Sequence, residues 1–199
     1  MPKLRLAILG SMRGTAMQAI ITAIKQNQLD ACIKLVISNK PRALILERAQ
    51  AQQLKTLVIE DKEKGQEGFE QELSIVLHTH SIDLLVLIGY MRILTPSFVQ
   101  QWTNKIINIH PSLLPNFAGL RDLEVHQAVL NSGHKISGCS VHWVTEEVDK
   151  GPLLIQKNCP VETNDTRESL KARVQLLEGE ALVDAIVYFK SHFPLREKA

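Results

Sequence analysis

Cysteine and long apolar runs are both scarce in this chain. There are three cysteines, Cys32, Cys139 and Cys159, and an odd, sparse set argues against a disulfide framework. We therefore expect reduced thiols and a cytoplasmic protein. No segment approaches the roughly 18 apolar residues of a membrane span, and the apolar run at 4–9 is too short for a signal peptide. The sequence thus speaks against a disulfide-rich secreted protein and against a membrane protein.

An excess of charge of one sign is also missing. The chain has 23 Lys and Arg against 21 Asp and Glu, a net charge of +2, with both signs spread along it. This pattern provides no basic stripe for nucleic acid. A small anionic molecule is still compatible with it, because one phosphate needs only one local site. We expect small-molecule partners, with neither nucleic acid nor membrane among them.

The length and composition suit one compact domain. A chain of 199 residues, 45% of them hydrophobic, has the size of a single α/β domain, which we place at residues 1–199. Such a domain buries about two-thirds of its unfolded surface, so it needs no metal to fold. His78 and His80 lack a nearby cluster of cysteines or carboxylates, which favours surface histidines over metal ligands. We predict no metal site.

Short apolar runs alternate with helical patterns along the chain, which is typical of a parallel sheet with helices on both faces. The predicted strands are 4–9, 32–38, 55–59, 84–88, 105–109, 138–144 and 153–160, and the predicted helices are 17–28, 44–53, 69–80, 122–130 and a long final helix capped by Asp165 or Thr166 and reaching residue 188. We predict a Rossmann-like α/β domain with a mostly parallel sheet and an antiparallel strand at 138–144 or 153–160. Residues 193–199 are expected to form a loose tail.

The loop between the first strand and the first helix contains glycine at positions 10 and 14. A helix N-terminus offers free N–H groups and a partial positive charge, which suit a phosphate. Gly14 allows close approach of the backbone, and Thr15 adds a hydroxyl donor. The loop matches neither a Walker A nor a GxGxxG pattern, so an ordinary tight turn is the alternative.

Asn108 and His110 stand at the end of the fifth predicted strand, where ligands of open α/β sheets bind. Being two residues apart, they share a face of the strand. An amide beside an imidazole can stabilise an oxyanion and move a proton. Asp149, in a later turn, is a candidate to orient His110 and raise its pKa. The alternatives are an Asn and a His that satisfy loop backbone, and a solvated turn carboxylate.

Three segments together resemble the folate-dependent formyltransferases: NIHPSLLP at 108–115, SGCSVHWV at 137–144 and EVDKGP at 147–152. GYMRIL at 89–94 and RVQLLE at 173–178 are similar to the branch of that family that formylates glycinamide ribonucleotide. The resemblance runs from residue 4 to about residue 186. It implies a single-domain formyltransferase fold, 10-formyltetrahydrofolate as co-substrate and glycinamide ribonucleotide as acceptor.

The resemblance also implies site residues. The catalytic trio falls on Asn108, His110 and Asp149; the phosphate loop on Gly14, Thr15 and Ala16; further ribonucleotide contacts on Gln175 and Glu178; and the folate pocket on Met91, Arg92, Ile93, Leu94, Thr145 and Val148. The family's phosphate loop usually reads Gly-Ser-Asn, so Ala16 removes a side-chain contact, which Arg13 is a candidate to replace. The stretch after Gly119 differs in length from relatives, and His126 therefore receives no role.

Other members of the superfamily remain alternatives. Methionyl-tRNA formyltransferase adds an RNA-binding domain, and formyl-folate hydrolase adds a regulatory domain. A sugar-nucleotide formyltransferase is disfavoured by Gln175 and Glu178. A non-catalytic binding module is disfavoured by the intact trio. His142 is interpreted as a structural histidine near the site, and Cys139 as a packed thiol. Association of two copies stays open.

Overall fold

A seven-stranded sheet organises the computed structural model of the chain, which describes residues 2–60 and 64–193. Its strands are β1 (Leu4–Leu9), β2 (Ala31–Ser38), β3 (Thr56–Val58), β4 (Leu84–Leu87), β5 (Ile106–His110), β6 (Ile136–Trp143) and β7 (Leu153–Pro160), in the spatial order β3-β2-β1-β4-β5-β6-β7. Strands β1 to β5 are parallel, and β6 is antiparallel to both of its neighbours. The mostly parallel sheet is confirmed, and the antiparallel strand is the one at 138–144.

The helices in the described residues are α1 (Met17–Lys25), α2 (Leu44–Ala51), α3 (Gly65–Thr79), α4 (Pro96–Gln101), α5 (Leu123–Asn131) and α6 (Arg167–His192). Helix α6 begins after Thr166, whose side chain accepts a hydrogen bond from the Ser169 N–H, as predicted. The sequence analysis missed the short α4, although Thr95 caps it and Pro96 occupies its first turn. Of the predicted loose tail, residues 194–199 lie outside the described residues.

Alternate residues of the central strands contribute side chains to two hydrophobic layers, one on each face of the sheet. In β1, Leu6 and Ile8 face one layer, with Ile20, Ile45 and Leu182 among its helical residues. Ala7 and Leu9 face the other layer, in which α3 and α4 contribute Phe69, Leu73, Phe98 and Trp102. The strand period of two therefore buries both faces of the sheet, as expected for parallel strands covered by helices on each side.

The strand order reverses beside β1. Strand β2 lies on one side of β1 and β4 on the other, and β5 follows β4. Loops that leave the carboxyl ends of neighbouring strands diverge at such a point and leave a crevice. The loops after β1 and β4 and the end of β5 carry part of the functional residues that the sequence predicted. Among the described helices, none combines the length and apolar character needed to cross a bilayer.

Candidate active site

Asn108 and His110 lie on β5 and line the crevice, which we call the cleft. Strand β5 pairs with β6 so that Asn108 lies opposite His142. The Nδ1 atom of His110 is 3.3 Å from Oδ2 of Asp149, which lies in the loop between β6 and β7. The predicted meeting of imidazole and carboxylate is therefore present. Both side chains are largely buried, 5% and 11% exposed, so their interaction is weakly screened by water.

The Asp149 carboxylate is held by backbone as well as by side chains. The Gly119 N–H donates to its Oδ2 at 2.9 Å, and Nε2 of His142 is 3.5 Å from its Oδ1. Two residues later the chain passes so close to β6 that a Cβ on Gly151 would lie 1.8 Å from the Trp143 carbonyl oxygen. Only glycine fits there, and this close packing fixes the loop that carries Asp149.

The pKa values of this pair reflect burial and hydrogen bonding. Burial raises the pKa of Asp149, but the neighbouring His142 and His110 rings and the Gly119 N–H together hold it below its ordinary value. Burial lowers the pKa of His110 and outweighs the opposing effects of Asp149 and the Phe117 carbonyl. Asp149 raises the pKa of His110, as predicted, but desolvation is the larger effect, and the net shift of this pKa is downward.

His142 positions Asn108. Its Nδ1 lies 2.8 Å from the Trp143 carbonyl oxygen, which only accepts, so this nitrogen carries the proton in the neutral ring. Its Nε2, 3.2 Å from Nδ2 of Asn108, then accepts an amide N–H. One donor of Asn108 is thereby fixed on His142, which orients the amide. The prediction of a histidine near the site stands, and its contacts give it this positioning role.

The conformation of the loop from Gly10 to Ala16 depends on its second glycine, Gly14. Gly14 has φ +61°, and a Cβ there would lie 2.3 Å from Cγ1 of Ile45, so both conformation and space require glycine. The Ile45 N–H donates to the Met12 carbonyl, which ties the loop to α2. Gly14 and Thr15 line the cleft, whereas the Ala16 side chain is buried in the core. Ala16 therefore contributes backbone alone.

The segment after β4 and the loop after β6 form another part of the cleft wall. Met91, Arg92, Ile93 and Leu94 line the cleft together with Thr145 and Val148. Ile93 and Val148 are 52% and 41% exposed, although both are apolar. Exposed apolar side chains beside a cleft are typical of a surface for a flat or aromatic ligand.

Helix α6 supplies Gln175 and Glu178, which line the same cleft. Burial raises the pKa of Glu178 to about 7; nearby Lys171 opposes this rise and Asp122 reinforces it. At the next residue, a Cβ on Gly179 would lie 2.6 Å from the Ala19 Cβ. Helix α6 therefore packs tightly against α1, which brings Gln175 and Glu178 beside the loop of Gly14.

One cleft thus contains every site residue that the sequence predicted, with the single exception of the Ala16 side chain. Perturbed carboxyl and imidazole groups, an uncapped helix N-terminus and exposed apolar side chains share this space. Such a combination is typical of an active site. Within the described residues, no group of three His, Cys, Asp or Glu side chains is placed to hold a metal ion.

Comparison with known proteins identifies the family. The formyl transferase family model matches residues 4–186, most of the chain and all of the elements that line the cleft. The chain belongs to the formyl transferase family. A solved structure of glycinamide ribonucleotide transformylase 1 from Symbiobacterium toebii shares the fold, with a TM-score of 0.90 at 33% identity over 98% of this chain and 91% of that one.

Two curated relatives are similar in sequence. Phosphoribosylglycinamide formyltransferase of Escherichia coli (strain K12) is 38% identical over 176 residues, which cover 88% of this chain and 82% of that protein. The Homo sapiens trifunctional purine biosynthetic protein adenosine-3 is 41% identical over 185 residues, 92% of this chain. This formyl transferase spans only 18% of the length of that human protein.

The structure of this formyl transferase also shows contacts that the sequence analysis missed. Arg121 donates to the Met91 carbonyl at 3.0 Å, and Asp122 forms an ion pair with Lys171. His126, which received no role, is 1% exposed and lines the cleft. The one available signal was the unusual length of the stretch after Gly119. It marked the place but not the partners, which come from other segments.

Proposed function

We propose that this chain transfers the formyl group of 10-formyltetrahydrofolate to the amine of glycinamide ribonucleotide, a step of purine synthesis. The observation that carries the proposal is the shared cleft, in which Asn108, His110 and Asp149 lie beside the loop of Gly14 and the residues of α6. A formyl-folate hydrolase needs only water as acceptor, whereas this cleft has room and donors for an anionic acceptor. The name of the Escherichia coli relative supports the same acceptor.

The proposed chemistry is direct attack without a covalent enzyme intermediate. The neutral amine nitrogen forms a bond to the formyl carbon, and an electron pair moves onto the formyl oxygen. An N–H of Asn108 and the ring of His110 stabilise this oxygen. The bond between the formyl carbon and the folate nitrogen then breaks, and the proton released by the amine ends on that nitrogen. Asp149 assists this proton transfer through a water molecule.

His110 is suited to a change of charge during this reaction. Its Nδ1 faces Asp149, and its Nε2 is 3.2 Å from the Phe117 carbonyl oxygen, so both nitrogens face acceptors. Burial nevertheless holds its pKa below the ordinary value, so the ring starts neutral at pH 7. A negative charge developing on the formyl oxygen raises that pKa. The ring therefore takes up the proton that the attacking amine releases and gives it, through the water beside Asp149, to the departing folate nitrogen.

The acceptor is held at the opposite side of the trio. Backbone N–H groups of Gly14, Thr15 and Ala16 at the start of α1 are proposed to bind the phosphate, because a helix N-terminus carries partial positive charge. Gln175 and Glu178 are proposed to hold the rest of the ribonucleotide. This arrangement needs no side-chain donor at Ala16, because the backbone donors remain.

The folate is proposed to lie along the segment after β4 and the loop after β6. Met91, Arg92, Ile93 and Leu94 supply backbone and side-chain contacts, and Thr145 and Val148 cover the pterin. The exposed apolar surface of Ile93 and Val148 supports this assignment, because binding a flat ring would cover it.

The reaction is proposed to occur in the cytoplasm, in a single domain spanning residues 1–199 and with small molecules as partners. Cys32, Cys139 and Cys159 are free thiols, which supports a reducing compartment. Burial raises the pKa of Cys139 to about 12, so this thiol is a poor nucleophile, consistent with direct transfer.

A spectroscopic assay tests the function. The purified protein is mixed with 10-formyltetrahydrofolate, and loss of the formyl absorbance is followed with and without glycinamide ribonucleotide. We expect loss only when the acceptor is present, with formylated acceptor confirmed by mass spectrometry. Formyl loss without acceptor would instead identify a hydrolase. Binding of both ligands without turnover would identify a binding module, and either result would refute the proposal.

A further inference from the structure

A cluster of charged and titratable side chains lies between α5 and α6, apart from the trio. It consists of Asp122, which immediately precedes α5, His126 on α5, and Lys171 and Glu178 on α6; we call it the α5–α6 wall. All four side chains line the cleft. None of the four lies on the sheet that supplies Asn108 and His110. The proposed chemistry assigns no step to Asp122, His126 or Lys171.

Lys171 shares a helix face with the proposed ribonucleotide contacts. It lies four residues before Gln175 and seven before Glu178, a spacing that places all three side chains on one face of α6. Its side chain is 20% exposed and forms an ion pair with Asp122, its one hydrogen-bond partner among the described residues. An ammonium group has three N–H donors, so donors remain for a ligand in the cleft.

Asp122 has an unusual backbone conformation. It has φ 49° and ψ −126°, a sparsely populated combination for a residue with a side chain. The residues just before it are tied down as well, because Gly119 donates to Asp149 and Arg121 donates to the Met91 carbonyl. The carboxylate that orients Lys171 is therefore linked through four consecutive residues to the catalytic carboxylate.

The charges of the wall select the kind of group that fits. Asp122 and Glu178 place two carboxyl groups beside one ammonium, so a phosphate would be attracted by Lys171 and repelled by Asp122 and by the ionised fraction of Glu178. The loop of Gly14 presents no acidic side chain to the cleft among its lining residues. A sugar hydroxyl both donates and accepts, and it fits between an ammonium and a carboxylate. The phosphate therefore belongs at the loop and hydroxyls belong at the wall.

His126 adds a polar atom that has no protein partner. Its side chain is 1% exposed, and its Nδ1 makes no hydrogen bond in the described structure. Burial and the charge of Lys171 lower its pKa to about 4, so the ring is neutral at pH 7. A neutral ring leaves Lys171 as the cation of the wall.

From these observations we infer that Lys171, oriented by Asp122, is a specificity-determining residue that donates to the ribose hydroxyls of the acceptor. The inference rests on the proposed function and adds to it a residue, a partner and a selectivity. We expect a preference for an acceptor that carries these hydroxyls, because an acceptor without them leaves polar groups of Lys171 and Glu178 without partners.

The test compares Lys171→Met with Lys190→Met. Lys190 is also on α6 and also ion-paired, with Asp30, but it lies outside the lining of the cleft. Steady-state kinetics are measured with glycinamide ribonucleotide and with an analogue that lacks both ribose hydroxyls. A hydrogen bond to a charged group contributes about 1.5–3 kcal/mol, so we expect Lys171→Met to raise the KM for the ribonucleotide roughly 10- to 100-fold. The KM for 10-formyltetrahydrofolate should not change.

The analogue decides between hydroxyl recognition and other roles. The wild-type protein should prefer the ribonucleotide, and Lys171→Met should lose most of that preference, while Lys190→Met keeps it. Asp122→Asn, which frees Lys171 without removing it, should give a smaller loss in the same direction. Circular dichroism and thermal unfolding confirm that each variant is folded.

Two results would overturn the inference. One is an unchanged KM for the ribonucleotide in Lys171→Met. The other is an equal loss for ribonucleotide and analogue, which would mean that Lys171 contacts the phosphate or only supports the fold. Failure of the proposed function looks different, because the wild-type protein itself would then not formylate glycinamide ribonucleotide.

Discussion

Strands β1 and β4 bring mainly backbone to the cleft, whereas β5, β6 and the loop after β6 bring side chains. On the parallel side, formed by the segments after β1 and β4, Gly14 and its neighbours present N–H groups to the cleft. The Met91 carbonyl there accepts a hydrogen bond from Arg121. On the antiparallel side, where β5 pairs with β6, Asn108, His110 and Asp149 present an amide, an imidazole and a carboxylate to the cleft. The two regions therefore depend on sequence in different ways.

This contrast explains where substitutions are tolerated. A backbone donor survives a change of side chain, so we expect the proposed phosphate loop to keep its N–H donors with Ala16 as long as Gly14 preserves the close packing of the loop on Ile45. A side-chain group has no such substitute. The comparison leads us to expect that conservative changes on the antiparallel side abolish turnover, and that only changes of backbone geometry harm the parallel side.

The largest expected effect is on Asp149. Asp149→Asn keeps the size of the side chain but removes the charge that holds His110 and assists proton transfer. General acid–base assistance contributes about 100- to 10,000-fold, so we expect kcat to fall by that factor. Asp184→Asn is the matched control, because this carboxylate pairs with Lys157 at 2.8 Å and does not line the cleft. An Asp149→Asn variant with nearly full turnover would contradict the assignment.

Asn108→Ala removes the proposed oxyanion donor. Loss of such a donor costs about 100- to 1000-fold in rate, and we expect kcat to fall accordingly while the thermal unfolding midpoint stays close to that of the wild type. Asn158→Ala, at an exposed position of β7, serves as control and should remain active. Wild-type turnover in Asn108→Ala would show that the amide does not act on the formyl oxygen.

Gly14→Ala tests the backbone side of the comparison. The added methyl would lie 2.3 Å from Ile45 at a φ of +61°, so we expect a loss of about 1–3 kcal/mol in the free energy of unfolding. Gly133 has φ +73° with nothing within 4 Å of its built Cβ, so Gly133→Ala isolates the cost of φ alone. Urea denaturation should show the larger loss for Gly14→Ala. Equal losses would mean that Ile45 does not constrain the loop.

A pH-dependent effect on stability is expected at Glu178. Its pKa is raised from 4.5 to about 7 in the folded protein, so the folded state binds more protons than the unfolded state between these values. Stability therefore falls as pH rises through this window. Glu178→Gln removes the effect, and its gain in unfolding free energy over the wild type should be larger at pH 8 than at pH 5. A gain independent of pH would show that Glu178 has an ordinary pKa.

The sequence predicted most of the sheet and the shared face of Asn108 and His110, because both follow from local patterns, whereas Asp149 was joined to them only by the resemblance to the family. Apolar runs marked the strands, and the spacing of Asn108 and His110 placed both on one face. Helix α4 was missed because six residues carry too little periodicity. The pair of Lys171 and Asp122 joins segments 49 residues apart, which no spacing rule connects. The direction of the His110 pKa also depends on burial, which only the packed structure defines.

A crystal structure with a folate analogue that forms a tetrahedral hydrate at the formyl position, together with glycinamide ribonucleotide, tests the central claim most directly. We expect a hydrate oxygen about 2.7–3.1 Å from Nδ2 of Asn108, with the acceptor phosphate on the loop of Gly14. A hydrate bound out of reach of Asn108 and His110, with Asp149 turned away from the histidine, would contradict the account.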